Sequence, residues 1–242
     1  DIKMSGAHRG NPGAGYYVAL LGATFLMASS FIASKILLNA DVPPLLLAGW
    51  RFFAGSFAAL PLVLLAKSSW PTTLAPPHFT LRKWALVLLL GLLQTAATTG
   101  LLFLAMRTIS AGTAAILLFT NPLWVALIGH FALRERLSGL RLGGLFCGIF
   151  GVSLALGASG TGLSHEPLAG QLIGLASAIC WALATILLKR TRLPISVWAL
   201  NFWQMFVGAL LLLATAYALG EHWPPVALSS MPRGRGERIL VV

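Results

Sequence analysis

The sequence has few charged residues for its length. Of its 242 residues, 10% are charged and only six are acidic, whereas 57% are hydrophobic. A soluble domain carries about 25% charged residues because it needs a hydrated surface, so this composition excludes an ordinary water-soluble globule. The apolar residues also occur in runs of about 18 to 23, the length that crosses a hydrocarbon layer of about 30 Å. The sequence therefore predicts an all-α polytopic membrane protein, with membrane lipid around it.

Cysteines and chemically reactive patterns are also scarce. The two cysteines, Cys147 and Cys180, each lie within an apolar run, so we interpret them as packing residues and not as a disulfide or a zinc-binding pair. No predicted helix carries an aspartate or glutamate at its middle, and no H-E-x-x-H motif or Ser/His constellation is present. The sequence thus predicts no enzyme activity, no cofactor and no metal site.

The net charge of +11 comes from basic residues in short segments between the apolar runs. This distribution is typical of membrane topology and not of a nucleic-acid-binding face, so we expect no nucleic-acid partner. Eleven of these residues fall on one side of the predicted membrane, against Lys35 and Arg107 on the other. Because basic loops stay in the cytoplasm, the N-terminus is predicted to be cytoplasmic. The eleven are Lys3, Arg9, Lys67, Arg82, Lys83, Arg134, Arg136, Arg141, Lys189, Arg190 and Arg192.

Seven transmembrane helices are predicted from the apolar runs and from the proline, glycine and serine signals between them. Their expected ranges are 16–38, 45–66, 83–105, 111–133, 140–157, 168–188 and 196–219. Seven spans from a cytoplasmic start place the tail outside, where Arg233, Arg235 and Arg238 depart from the charge pattern.

A weak internal repeat relates the beginning and the end of the chain. A shift of 153 residues aligns 48–66 with 201–219 and places Trp50 on Trp203 and Arg51 on Gln204. The same shift pairs helix 1 with helix 6. Since these helices are five spans apart, they cross in opposite directions, which is the inverted repeat typical of secondary transporters. In such proteins the substrate site lies near the membrane midplane.

The most specific pattern is NPLWVALIGHFALRERLSGLRLGGLFCGIFGVSLAL, residues 121–156. It resembles the end of an EamA-type domain of the drug/metabolite transporter superfamily. The shared features are a proline in helix 4, an acidic residue in a short loop and a glycine-rich helix 5. The residues that carry the resemblance are Pro122, Leu133, Glu135, Arg136, Gly144, Leu145, Gly151 and Val152, together with Arg51-Phe52 and Trp181-Ala182.

The resemblance implies a ten-helix parent fold with two such repeats, both termini cytoplasmic, in the plasma (bacterial inner) membrane. It implies an exporter of small metabolites such as amino acids that works by alternating access. The alternative is an inactive fragment or scaffold that lacks the last three helices. We expect five divisions of the chain. They are a cytoplasmic tail (1–15), a five-helix repeat (16–157), a loop (158–167), two helices of an inverted second repeat (168–220) and a truncated or non-native tail (221–242).

Helix 4 carries Asn121-Pro122 at its midpoint. Pro122 has no N–H, so the carbonyl of Leu118 loses its helical partner. In hydrocarbon such a group has to face protein or a water-filled cavity. Asn121 therefore either lines a midplane cavity and contacts substrate or forms hydrogen bonds within the bundle. We expect Pro122 to act as a structural hinge.

Two more sets of polar side chains are candidates for the lining of a substrate cavity. Gln94 and Thr98 share a face of helix 3, and Ser177, Trp181 and Thr185 share a face of helix 6. The alternatives are interhelical hydrogen bonds for the helix 3 pair and helix packing for the indole.

Arg51 is a charge within the apolar span of helix 2. Such a charge marks a functional site by default, but a long side chain can also reach the headgroups, and we expect a structural or gate-stabilising role.

Gly144 and Gly148 form G-x-x-x-G, which predicts packing within the fold or, as an alternative, a homo-oligomer contact. Because no helix has a carboxylate at its middle, the predicted substrate is neutral or zwitterionic.

Overall fold

The computed structural model describes residues 14–65, 79–133, 139–157, 166–191 and 193–223, which form helices and turns and no strand. Each of the seven predicted helices is present, with ends at most three residues from the prediction. We number them α1 (Ala14–Asn39), α2 (Pro44–Leu65), α3 (Leu81–Ala105), α4 (Ala111–Leu118 and Asn121–Leu133), α5 (Gly139–Gly157), α6 (Leu168–Thr191) and α7 (Val197–Ala218). The predicted acidic loop around Glu135 lies outside the described residues.

Five of these helices, α1, α3, α4, α6 and α7, are each long and apolar enough to cross a bilayer. In hydrocarbon an α-helix satisfies its own backbone groups, whereas an isolated loop does not. The length and composition of these helices agree with an integral membrane protein.

The helices α2, α3, α6 and α7 form the centre of the bundle, and α4 packs against α6. The helices α1 and α5 lie at the periphery and direct large apolar side chains outwards. Phe25 of α1 is 73% exposed and Phe150 of α5 is 66% exposed. An outer surface of this kind suits contact with lipid acyl chains.

The contact between α2 and α7 is the most extensive in the bundle. Gly49 lies against Leu213 and Gly55 lies against Met205. Because the residue number rises along one helix as it falls along the other, the two helices are antiparallel. Around the Gly55 contact, the rings of four phenylalanines pack together: Phe53, Phe57, Phe202 and Phe206.

Glycines also bring α3 and α7 close together. A Cβ atom on Gly208 would lie 2.8 Å from the carbonyl oxygen of Gly91 and 2.7 Å from Cγ2 of Thr95. A Cβ atom on Gly91 would in turn lie 2.9 Å from Cγ1 of Val207. Small residues at such positions let helix backbones approach closely in a membrane.

Gly208→Ala is therefore expected to lower the free energy of unfolding by about 1–3 kcal/mol, because its methyl group overpacks this contact. The matched control is Gly22→Ala, where a new Cβ meets nothing within 4 Å. The control is expected to be neutral or to stabilise by up to about 1 kcal/mol, through helix propensity. Denaturant unfolding in detergent micelles measures both variants. Equal unfolding free energies would contradict the close approach of α3 and α7.

A carboxylate holds the beginning of α2. The helix α7 ends at Ala218. Gly220 follows with a φ of 73°, and the amide of Glu221 donates to the carbonyl of Ala216 over 2.9 Å. This left-handed turn favours glycine. It places Glu221 so that its Oε2 accepts hydrogen bonds from the amides of Leu45 (3.1 Å) and Leu46 (2.9 Å). The negative charge meets the positive end of the α2 dipole.

Two more charges hold helix ends near the turn between α3 and α4. Lys35 Nζ donates to the carbonyl oxygens of Met106 (2.6 Å) and Ile109 (2.9 Å). Oε1 of Glu166 accepts from the amide of Ser110 over 2.8 Å, at the start of α4. Each charge has the sign that its helix terminus favours. Lys35 is one of the two basic residues on the predicted outer side, and its ammonium group binds backbone carbonyls at the end of α3.

Glu221→Ala should lower the free energy of unfolding by about 1–2 kcal/mol, because two amides at the start of α2 lose their acceptor. His222→Ala, at the exposed neighbouring position, is the control and should leave stability unchanged within about 0.5 kcal/mol. The two variants are compared by unfolding in the same detergent. A Glu221 variant as stable as the control would show that this carboxylate does not hold α2.

Candidate functional site

The helix α3 is not a regular α-helix in its middle. Residues Gly91–Ala97 form a π-helical segment, although the sequence predicts one continuous helix. The hydroxyl of Thr98 donates to the carbonyl of Leu93 over 2.7 Å, and the hydroxyl of Ser177 donates to the carbonyl of Thr98 over 2.6 Å. These bonds supply donors where the α-helical pattern is interrupted. Segments of this kind occur frequently at functional sites.

A cavity of about 240 Å³ lies beside the π-helical segment, among residues from six helices. Its polar lining consists of amide and hydroxyl side chains: Gln94, Thr95, Thr98, Thr99, Asn201 and Gln204. Its remaining lining consists of Met27, Phe52, Leu118, Trp181 and Met205. We call this space the amide cavity. Pockets for drug-sized ligands are about 300–1,000 Å³, so the amide cavity suits a smaller solute.

A smaller cavity of about 90 Å³ adjoins the amide cavity and has a charge in its wall. We call it the arginine chamber. Arg51 Nη2 donates to the hydroxyl of Ser30 over 2.6 Å, and its Nη1 donates to the hydroxyl of Ser34 over 3.3 Å. The two spaces share four lining residues: Met27, Phe52, Thr99 and Leu118.

The structure brings some of the sequence-predicted residues together and separates others. Gln94, Thr98 and Trp181 all line the amide cavity, and Arg51 lines the arginine chamber. The three other candidates for the cavity lining, which are all described, line neither of these two spaces: Asn121, Ser177 and Thr185.

Ser177 and Thr185 have their hydroxyls bound to backbone. Ser177 is fully buried and supports α3 through its bond to the Thr98 carbonyl. Thr185 donates to the carbonyl of Trp181 over 2.9 Å within its own helix. Both contacts correspond to the hydrogen-bonding role that polar side chains commonly have in membrane helices.

The helix α4 is interrupted at residues 119–120, directly before Asn121-Pro122. Pro122 is the second residue of the new segment, where a missing N–H has no consequence. The hydroxyl of Thr120 donates to the carbonyl of Leu117 over 2.6 Å and accepts from the indole of Trp124 over 3.1 Å. Asn121 is 8% exposed, and its Nδ2 has no hydrogen-bond partner in the described part of the chain. Neither Thr120 nor Trp124 was predicted from the sequence as a functional residue.

Asn201 and Gln204 also line the amide cavity, and neither was predicted from the sequence. They lie three residues apart on α7 and so share a helix face. The internal repeat did point to Gln204, because the shift of 153 residues aligns Gln204 with Arg51. The two equivalent positions line adjoining spaces.

The lining of the amide cavity is uncharged. The amide cavity has neutral donors and acceptors, and the described residues contain no group of three His, Cys, Asp or Glu side chains that could hold a metal ion. A further cavity of about 310 Å³ lies between α4 and α5, but its walls are mostly apolar, as with Leu123, Leu127 and Leu145. That space offers few groups to recognise a polar solute, so the amide cavity is the better candidate site.

A polytopic helical membrane protein with a polar cavity inside its bundle is the class that this fold defines. The chain belongs to the EamA-like transporter family, whose sequence pattern matches residues 14–157 and 168–232. The family resemblance of the helix 4–5 block is thereby confirmed.

Several curated relatives are similar to this chain over most of its length. "Uncharacterized transporter YoaV" of Bacillus subtilis strain 168 is 27% identical over 202 residues, covering 83% of this chain and 66% of the relative. A "Probable amino-acid metabolite efflux pump" of Escherichia coli K12 is 32% identical over 162 residues, covering 66% and 49%. "Uncharacterized inner membrane transporter YedA" of the same organism is 28% identical over 204 residues, covering 82% and 62%. The chain spans about half to two thirds of the length of these relatives.

Ser177→Ala is expected to loosen the π-helical segment, because the carbonyl of Thr98 loses its donor from α6. Stability should fall by about 1 kcal/mol, and amide hydrogen exchange should become faster around residues 91–98. The control is Ser29→Ala, since Ser29 is exposed and bonds only to Leu26 of its own helix. Unchanged exchange in the Ser177 variant would show that the interhelical bond does not support the segment.

Proposed function

We propose that this protein is a transmembrane exporter of small neutral or zwitterionic metabolites, amino acids among them, and that the amide cavity is its substrate site. The observation that carries the proposal is a cluster of amide and hydroxyl side chains beside irregular backbone within a membrane bundle. Membership of the EamA-like transporter family supports transport as the activity. The relative named as an amino-acid metabolite efflux pump supports both the substrate class and the direction.

The lining of the amide cavity favours a solute with hydrogen-bonding groups and an apolar part. Gln94, Asn201 and Gln204 offer amide donors and acceptors, and Trp181 offers a flat apolar face. Met27 and Met205 have adaptable side chains that fit more than one shape. This combination suits a range of small polar metabolites.

The inverted repeat of a ten-helix parent fold is part of the same proposal. Shifted by 153 residues, the bounds of α2, Pro44–Leu65, become 197–218, which are the bounds of α7. The same shift carries α1 to within one residue of α6 at each end. Phe53 and its equivalent Phe206 lie in contact, with ring centroids 5.9 Å apart, where a pseudo-two-fold axis would cross two antiparallel helices. The separate family matches, which begin at residues 14 and 168, support the same division.

Alternating access requires elements that change shape, and two irregular segments are candidates. The π-helical segment of α3 and the break in α4 place irregular backbone inside the bundle, where transporters form their sites. We assign the hinge to Pro122 and the preceding turn. Asn121, beside the hinge, has a buried donor free to bind substrate or a partner in another state. Arg51 joins α2 to α1 through two serines, which supports its role in a gate.

The proposed location is the bacterial inner membrane with the N-terminus in the cytoplasm, supported by the eleven-to-two distribution of basic residues and by the relative YedA.

The G-x-x-x-G motif of α5 has two different surroundings. A Cβ on Gly148 would lie 2.7 Å from Leu123 of α4, whereas a Cβ on Gly144 would meet nothing within 4 Å. Gly148 therefore packs within the chain, and a homo-oligomer contact would have to use the Gly144 side.

Reconstitution in liposomes tests the transport proposal. The purified chain is expected to give saturable flux of one or more members of a panel of labelled amino acids and nucleosides. Liposomes without protein provide the background. No saturable flux for any member would contradict transport by this chain and favour the alternative of an inactive membrane protein.

Site variants test the amide cavity. Gln204→Ala and Trp181→Ala are each expected to raise the dissociation constant of a transported solute about tenfold, since a lost contact of about 1.4 kcal/mol has that effect. Asn121→Ala is the corresponding test beside the hinge. Gln171→Ala is the matched control, because Gln171 bonds to the Glu166 backbone outside both spaces. Unchanged affinity in the Gln204 and Trp181 variants would contradict the cavity assignment, and unchanged affinity in the Asn121 variant would contradict a solute contact at the hinge.

A further inference from the structure

Arg51 is a charge with no acidic partner in the described part of the chain. That part contains three carboxylates, and the structure accounts for each of them elsewhere. Glu166 accepts from the amide at the start of α4, and Glu221 caps α2. Asp41 is exposed in the turn between α1 and α2, at a φ of 59°. Within the described part of the chain, the charge of Arg51 is therefore met only by neutral groups, and the residue remains partly exposed at the surface of the bundle.

The hydrogen-bonding capacity of Arg51 is only partly used. A guanidinium has five N–H donors in a planar fork, whereas the structure gives Arg51 two acceptors, the hydroxyls of Ser30 and Ser34. Ser34 is 5% exposed, and its hydroxyl donates its own proton to the carbonyl of Ser30. Two neutral hydroxyls satisfy a cation less well than an anion does, because charge-assisted hydrogen bonds are about twice as strong.

The position of Arg51 connects its free donors to the candidate substrate site. Arg51 lines the arginine chamber, which shares Phe52 and Thr99 with the amide cavity. Phe52, the residue that follows Arg51 in α2, thus lines both spaces. A solute in the amide cavity with a group that reaches past Phe52 and Thr99 would meet the guanidinium.

We propose that Arg51 is an anion subsite that binds the carboxylate of the transported solute, while the amide cavity holds the rest of the molecule. This inference rests on the proposed transport function, and it narrows the substrate class to solutes with a carboxylate. The planar fork of arginine matches a carboxylate through two parallel hydrogen bonds. The chamber volume of about 90 Å³ and a single cation suit one negative charge.

Matched ligands test the subsite. Equilibrium binding to the purified chain in lipid nanodiscs is measured for a panel of amino acids and, for each one that binds, for its carboxamide. The amide keeps the shape and the amino group but removes the negative charge. Wild-type protein is expected to bind the acid at least about tenfold more tightly than the amide.

Three variants separate an anion subsite from a structural arginine. Arg51→Gln is expected to reduce the preference for the acid to less than about twofold, chiefly by weakening binding of the acid. Arg51→Lys keeps the charge without the fork, so an intermediate preference is expected. Arg107→Gln removes an exposed arginine at the turn between α3 and α4 and should leave the preference unchanged. The thermal midpoint of each variant in the same nanodiscs reports its folding.

The outcomes distinguish this inference from the function on which it rests. If no member of the panel binds wild-type protein, the proposed function fails and the subsite fails with it. If acid and amide bind wild-type protein equally well, the subsite is overturned and the transport proposal stands. If Arg51→Gln weakens acid and amide by the same factor, Arg51 has only a structural role. If that variant does not fold, the wild-type preference and its reduction in Arg51→Lys decide the question.

Discussion

The constraint on which the rest of this structure depends is that backbone polar groups inside a membrane need partners within the protein. Regular helices meet this requirement alone, so each departure from regularity needs a side chain to supply a donor or an acceptor. In α3 the hydroxyl of Thr98 supplies a donor beside the π-helical segment, and the hydroxyl of Ser177 supplies a second donor from α6. In α4 the hydroxyl of Thr120 supplies one at the break. These three hydroxyls permit the irregular backbone that adjoins the amide cavity.

The same constraint explains where the few charges lie. In the described residues, Lys35, Glu166 and Glu221 each hold a helix terminus, where the dipole favours their sign. Using carboxylates at helix ends removes them from the interior of the bundle. The described lining of the amide cavity and the arginine chamber is consequently neutral except for Arg51. This is why Arg51 is the residue that we propose as the anion subsite.

Periodicity and breaker residues predict the helices well, since apolar length and turn chemistry are local properties of the sequence. The ends of α4 at residues 111 and 133 were predicted without error. The π-helical segment was not predicted, because one extra residue in a turn leaves the apolar pattern of α3 almost unchanged. Ser177 of α6 and Gln204 of α7 show what the local sequence does not determine. Each is a polar residue within an apolar helix. Only the packing of α6 and α7 against α3 decides that Ser177 supports the backbone of α3 and that Gln204 faces the cavity.

Two buried side-chain atoms in the described residues depart from this constraint, Oε2 of Glu166 and Nδ2 of Asn121, and only Asn121 lies beside the break in α4. Its Nδ2 is buried without a partner in the described residues, and such a donor costs about 1–3 kcal/mol. The residue follows the break in α4 and precedes a proline, so the local backbone is less restrained there than in a regular helix. A small rotation about the turn at residues 119–120 would change the groups that surround the amide. An unsatisfied donor beside the hinge that we propose favours any state of α4, or any solute, that supplies an acceptor. Under that proposal, the break in α4 is the point at which binding energy is converted into a change of helix geometry.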